Sequence, residues 1–216
     1  MPRKNIGKNT HFSRPVGGNY HKHQPGRRRN CALKYLIRDE INTLLFVIKN
    51  PRDQAIFRVA YHHGLRASEI GAIQVSDYRP GRRAEQDHLV IPRLKGSVGG
   101  NTLLVPAAAH AIRMWMKHRG PKSGPMFISR ENGPITQQRL DQLMKHYCNL
   151  AGIAPEKAHF HALKHTCATI LLSEEKLSIV DVQHHLGHKN IQSTMIYAEL
   201  TEQANEERAR RLKDWK

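Results

Sequence analysis

Acidic residues are scarce. Only 18 Asp and Glu stand against 35 Lys and Arg among 216 residues, leaving a formal net charge of +17. A surplus of this size favours a polyanionic partner, because each phosphate neutralised by Lys or Arg releases condensed counterions. Cysteine is nearly absent too. Cys31, Cys148 and Cys167 form an odd set without CxxC spacing, which argues against a disulfide framework or a zinc module. Aromatic residues make up 6% of the chain, an ordinary soluble composition with a lean core. The longest strongly apolar run, Leu44-Leu45-Phe46-Val47-Ile48, falls far short of the roughly 20 residues that cross a bilayer. Met1-Pro-Arg-Lys-Asn leads into no apolar segment, so no secretory signal is expected. These absences point to a reduced, cytoplasmic protein with no membrane partner.

What is present divides at about residue 30. Residues 1–30 hold eight basic side chains, no acidic one and almost nothing apolar. Such a segment cannot bury enough surface to offset its ordering entropy, so a disordered basic arm is expected. Arg27, Arg28 and Arg29 are its candidates for contact with a nucleic acid backbone. A solvated tail that only aids solubility is the plainer reading. Residues 31–216 read as one mainly α domain with a small antiparallel β-sheet.

Helical spacing puts Ile41, Leu44, Leu45 and Ile48 on one face of a helix over 39–49. Asn50-Pro51 stops it, and the next helix is predicted over 52–63, closed by Gly64. A short helix follows over 67–73. Extended runs at 88–92 and 102–106 flank a glycine-rich hairpin. Further helices are predicted over 107–118, 136–151, 161–173, 178–186 and 191–200, with a charged terminal helix over 201–213. Ser178 and Asp181 have the spacing of a capping box. Trp115 between Met114 and Met116 reads as core, and Cys167 as buried and inert.

Five short stretches set a basic or nucleophilic side chain at a helix end or a turn. They are Gly64-Leu-Arg66-Ala-Ser-Glu69, Arg93-Leu-Lys95-Gly96, His161-Ala-Leu-Lys164-His165, Leu186-Gly-His188 and Thr194-Met-Ile-Tyr197. Each alone has a bland reading, a surface arginine or a half-buried helix tyrosine. In this order and spacing they resemble the catalytic domain of the tyrosine recombinases, or phage-type integrases, over about residues 36–213. The layout is most similar to the short recombinases that invert fimbrial promoter switches.

The resemblance implies a DNA transesterification with no cofactor and no metal. Tyr197 matches the nucleophile, whose hydroxyl attacks phosphorus and leaves a 3′-phosphotyrosyl link. Arg66 matches an arginine able to grip two phosphate oxygens. Glu69 matches an acid that orients neighbouring side chains. Lys95 matches the hairpin lysine that protonates the departing 5′-oxygen, and Arg93 lies beside it as a DNA contact. His161 and His188 match histidines that bond the phosphate.

Position 164 departs from the pattern. The family usually carries arginine there, and Lys164 keeps the charge while losing the planar fork. Loss of one such donor costs on the order of 10²–10³ in rate. An inactive, DNA-binding regulator is therefore the alternative reading, with a type IB topoisomerase-like nicking enzyme as a further rival. The resemblance also implies double-stranded DNA as partner and a homo-tetramer on DNA that exchanges its C-terminal segments. The helical DNA-binding domain that usually precedes the catalytic one has no counterpart in residues 1–30. His62-His63 and the group His184, His185 and His188 lack a matching Cys or carboxylate set for a metal. Gly96-Ser-Val-Gly99-Gly100 lacks the Gly-Lys-Ser/Thr of a phosphate loop.

Overall fold

The computed structural model describes residues 34–93, 99–198 and 213, all within one compact unit spanning Leu33–Lys216. The expected basic arm, with Arg27, Arg28 and Arg29, lies outside the described residues. So do Lys95 and all of the terminal helix expected over 201–213 but residue 213.

Helix α1, Arg38–Val47, buries Ile41, Leu44 and Leu45 on the face that the spacing marks. It ends two residues before the expected stop because Ile48 turns to extended backbone. Helix α2, Pro51–His63, starts where its cap dictates: Asn50 Oδ1 accepts the amides of Arg52 and Asp53, and Pro51 gives up no needed donor. This helix is the centre of the domain and packs against α4, Pro106–Arg119, and α6, Ala162–Ser173. Phe57 on α2 meets Tyr147 of α5, Gln137–Leu150, and Phe160 edge-on, with centroids 5.5 and 5.6 Å away.

A three-stranded antiparallel sheet lies beside the helices: β1, Tyr78–Arg79, β2, His88–Ile91, and β3, Gly100–Leu103, in the order β1-β2-β3. Only the latter two strands are expected from the sequence, the second from Thr102. The register sets Val90 opposite Asn101 and Ile91 opposite Gly100, so backbone pairing carries β3 past its apolar residues. Asp87 fastens the sheet to α4. Its buried carboxylate accepts Tyr78 Oη (2.6 Å), Gly81 N (2.8 Å) and Arg113 Nη2 (2.6 Å).

Helix α6 begins one residue later than expected, leaving His161 in the preceding turn. Helix α7, Ile179–His185, opens on the expected box, with Ser178 Oγ accepting the Asp181 amide and Asp181 Oδ2 accepting the Ser178 amide. A last helical stretch covers 192–198. Trp115 is half-buried and donates its indole N–H to Met126 O, whereas Met114 points outward, since neighbours on a helix face apart. Cys167 is buried, and burial pushes its thiol up to about 12. Among the described residues no helix is long and apolar enough to cross a membrane.

Two left-handed glycines close helices beside one another. Gly64 (φ 58°) ends α2 and Gly187 (φ 64°) follows α7. A Cβ at Gly64 would collide with Cδ2 of the buried Leu186, so the two turns pack backbone against side chain. Gly64→Ala combines that overlap with an unfavourable φ, and about 2–4 kcal/mol of stability should be lost in chemical denaturation.

Candidate active site

The Gly64 turn sends Leu65 into the core and lets Arg66 open α3, Ala67–Ala72. Glu69, fully buried, holds Arg66 twice: Oε2 accepts the backbone amide (2.7 Å) and Oε1 accepts Nη1 (2.9 Å). The Arg66 side chain stays 26% exposed and keeps a face toward solvent. Its direction is set by the carboxylate beneath it.

The Gly187 turn places His188 against Thr194, with Nδ1 2.9 Å from Oγ1. Burial, then the Lys164 and Arg66 cations, lowers His188 to about 4. The ring is thus neutral at physiological pH. In the tautomer in which the Thr194 hydroxyl donates to Nδ1, the ring proton sits on Nε2 and can be donated to a ligand.

Tyr197 is 2% exposed, and its hydroxyl lies 2.9 Å from His165 Nδ1. Burial raises the phenol well above its ordinary value, with Arg66 opposing it. His165 is lowered to about 3, by burial first and then by the neighbouring His161, His159 and Lys164. It is therefore a neutral imidazole, and in the tautomer protonated on Nε2 its Nδ1 lone pair faces the phenol. His161 meets His165 edge-on at 4.5 Å between centroids. The sequence reading gave His165 no role. The i, i+4 spacing from His161, which sets both rings on one face, was the available signal.

Lys164 and Arg93 depart from expectation. Lys164 is 1% exposed and donates to Gly64 O (3.0 Å) and Leu186 O (3.1 Å), so its ammonium ties the two glycine turns together. Burial, then Arg66 and Arg93, lowers it to about 7. Arg93 was expected to contact DNA. Its guanidinium instead turns inward, 4% exposed, onto His63 O (2.9 Å), His185 O (3.0 Å), Gly64 O (3.3 Å) and Glu69 Oε2 (3.3 Å). The reason is physical: the last carbonyls of α2 and α7 have no donors within their own helices, and a buried guanidinium supplies several at once.

Arg66, His161, Lys164, His188 and Tyr197 therefore come together, with Glu69 below them. Lys95 lies two residues beyond Arg93, outside the described residues. Among the described residues no group of three or more His, Cys, Asp or Glu is placed to hold a metal ion.

A helical domain that buries a tyrosine on an imidazole and draws cations round two glycine turns defines a class of site, one that sets a phenol among groups suited to phosphate. Residues 34–204 match the phage integrase family, and the chain belongs to it. It is 31% identical over 171 residues to the tyrosine recombinase XerC of Caldanaerobacter subterraneus, covering 76% of this chain and 46% of that one. It is also 31% identical over 176 residues to XerA of Thermococcus kodakarensis, covering 78% and 58%. A solved XerH recombinase bound to its palindromic difH substrate shares the fold, with a TM-score of 0.69 and 22% identity over 82% of this chain and 52% of that one. The chain spans about half the length of the curated relatives it matches.

Proposed function

We propose that this protein is a site-specific DNA recombinase that cleaves and rejoins strands through a 3′-phosphotyrosyl intermediate on Tyr197. The observation that carries the reading is the Tyr197–His165 contact, set among Arg66, His188 and Lys164. In cleavage, Tyr197 Oη attacks phosphorus as its proton passes to His165 Nδ1, whose basicity the negative charge of the bound phosphate restores. The phosphorus–O5′ bond breaks, and Lys95 protonates the leaving oxygen, the role the family resemblance implies. Arg66 receives the negative charge gathering on the non-bridging oxygens, and His188 adds a bond from Nε2. Fixed donors aimed at developing charge supply the largest catalytic contribution in such reactions. The ester energy stays in the phosphotyrosyl link, so a second DNA end can reverse the steps and seal.

Double-stranded DNA is the partner that a charge of +17 favours. Arg27, Arg28 and Arg29 supply backbone contacts in this reading. The working form on DNA is a homo-tetramer with exchanged C-terminal segments. The test incubates the protein with nicked duplexes cut from DNA flanking its own gene, so that cleavage is trapped. A covalent complex is expected, and peptide mass mapping should place the nucleotide on Tyr197. Tight binding of the duplexes with no adduct across the tiled set would instead support the regulator reading.

Glu69→Gln should bind DNA as before but lose on the order of 10-fold in trapped cleavage, because a neutral amide orients Arg66 with a weaker bond. Single-turnover rates beside equilibrium binding would measure both.

A further inference from the structure

The lysine at position 164 and the buried arginine at 93 share an acceptor. Gly64 O takes a bond from Lys164 Nζ (3.0 Å) and another from Arg93 Nη1 (3.3 Å). Glu69 carries one guanidinium on each oxygen, Arg66 on Oε1 and Arg93 on Oε2. Among the described residues the floor of the site thus holds Arg66, Arg93, Lys164 and the Glu69 carboxylate. We propose that Arg93 is a positioning residue that supplies, from the foot of the β2–β3 hairpin, the second guanidinium of this site, and that lysine stands at 164 because it leaves room for it. The consequence for catalysis rests on the recombinase reading above.

Size and charge both support the exchange. An arginine at 164 would carry two more heavy atoms than lysine, into a space already closed by Gly64 O, Leu186 O and the Arg93 guanidinium. Lysine relieves crowding of like charge by giving up its proton, and burial with Arg66 and Arg93 brings Lys164 to about 7. Arginine stays charged at any pH a protein meets. Arg93 also reaches His63 O and His185 O, so it joins the end of α2 to the end of α7 as well as to Glu69. Through these bonds it fixes the turns that carry Arg66 and His188.

The test is a double-mutant cycle on the full chain: Lys164→Arg, Arg93→Ser and the two combined, read by single-turnover cleavage, DNA affinity and chemical unfolding. Each single change should slow cleavage by about 100-fold while DNA affinity moves little. The double variant should recover to within about 10-fold of wild type and unfold at higher denaturant than either single one. If Arg93→Ser does not fold, Arg93→Lys replaces it, since it keeps the charge and loses the fork. Cleavage by Lys164→Arg at or above the wild-type rate would overturn the proposal. So would a double variant whose losses simply multiply, or coupling in unfolding without coupling in cleavage. If the wild type forms no adduct, the recombinase reading fails. The unfolding cycle then decides alone: recovery in the double variant supports the exchange, and independent losses refute it.

Discussion

Tyr197→Phe should bind the target duplex with wild-type affinity and form no covalent complex with it. The substitution removes one oxygen and leaves the ring, so packing of the buried side chain survives. What disappears is the only atom on that side chain able to bond phosphorus. His165 Nδ1 loses its partner at 2.9 Å, and because His165 is half-buried the stability cost should stay near 1 kcal/mol. Denaturing gels of trapped complexes, run beside a mobility-shift titration, separate the two effects. An adduct that persists with Tyr197→Phe would place the nucleophile elsewhere.

Stability should fall steeply as pH drops below about 6.5. Burial lowers His63 to about 3 and His188 to about 4, and both are buried in the fold. The half-buried His62 and His165 are lowered to about 4 and about 3. Below the ordinary histidine value of about 6.5, the unfolded chain binds protons that the folded chain refuses. Unfolding therefore takes up protons, and its free energy declines as pH falls until the folded values are reached. Each such proton is worth about 1.4 kcal/mol per pH unit, so His63 and His188 alone give about 3 kcal/mol per unit at full effect. Lys164 pushes the same way at higher pH. Its folded value of about 7 lies below the unfolded 10.5, so stability grows as pH rises between them. Urea titrations at pH 5, 6, 7 and 9 should show midpoints rising throughout. A flat profile between pH 5 and 6.5 would show that these imidazoles are protonated in the fold.

Most helices were legible because their signals are local. Asn50-Pro51 starts α2, and Ser178 with Asp181 opens α7; each acts within three residues of itself. Strand β1 was not legible. Tyr78–Arg79 carries no alternation, and its partners Leu89 and His88 are known only once the sheet exists. The site divides along the same line. The glycines ahead of Arg66 and His188 mark turns that any reader of the chain would place. The aim of a long side chain is different, because it is decided by which carbonyls the fold leaves without donors. Lys164 and Arg93 were read as facing DNA, yet the ends of α2 and α7 draw both inward. His165 was passed over because its contact with Tyr197 joins residues 32 positions apart.

Burial of the proposed nucleophile has a consequence for the cell that carries this protein. A tyrosine 2% exposed is covered from a phosphodiester, so in the recombinase reading its hydroxyl has to be uncovered before a strand is cut. In that reading, a copy whose Tyr197 stays covered leaves the DNA it meets uncut. Breakage then waits for whatever event on the target site uncovers Tyr197.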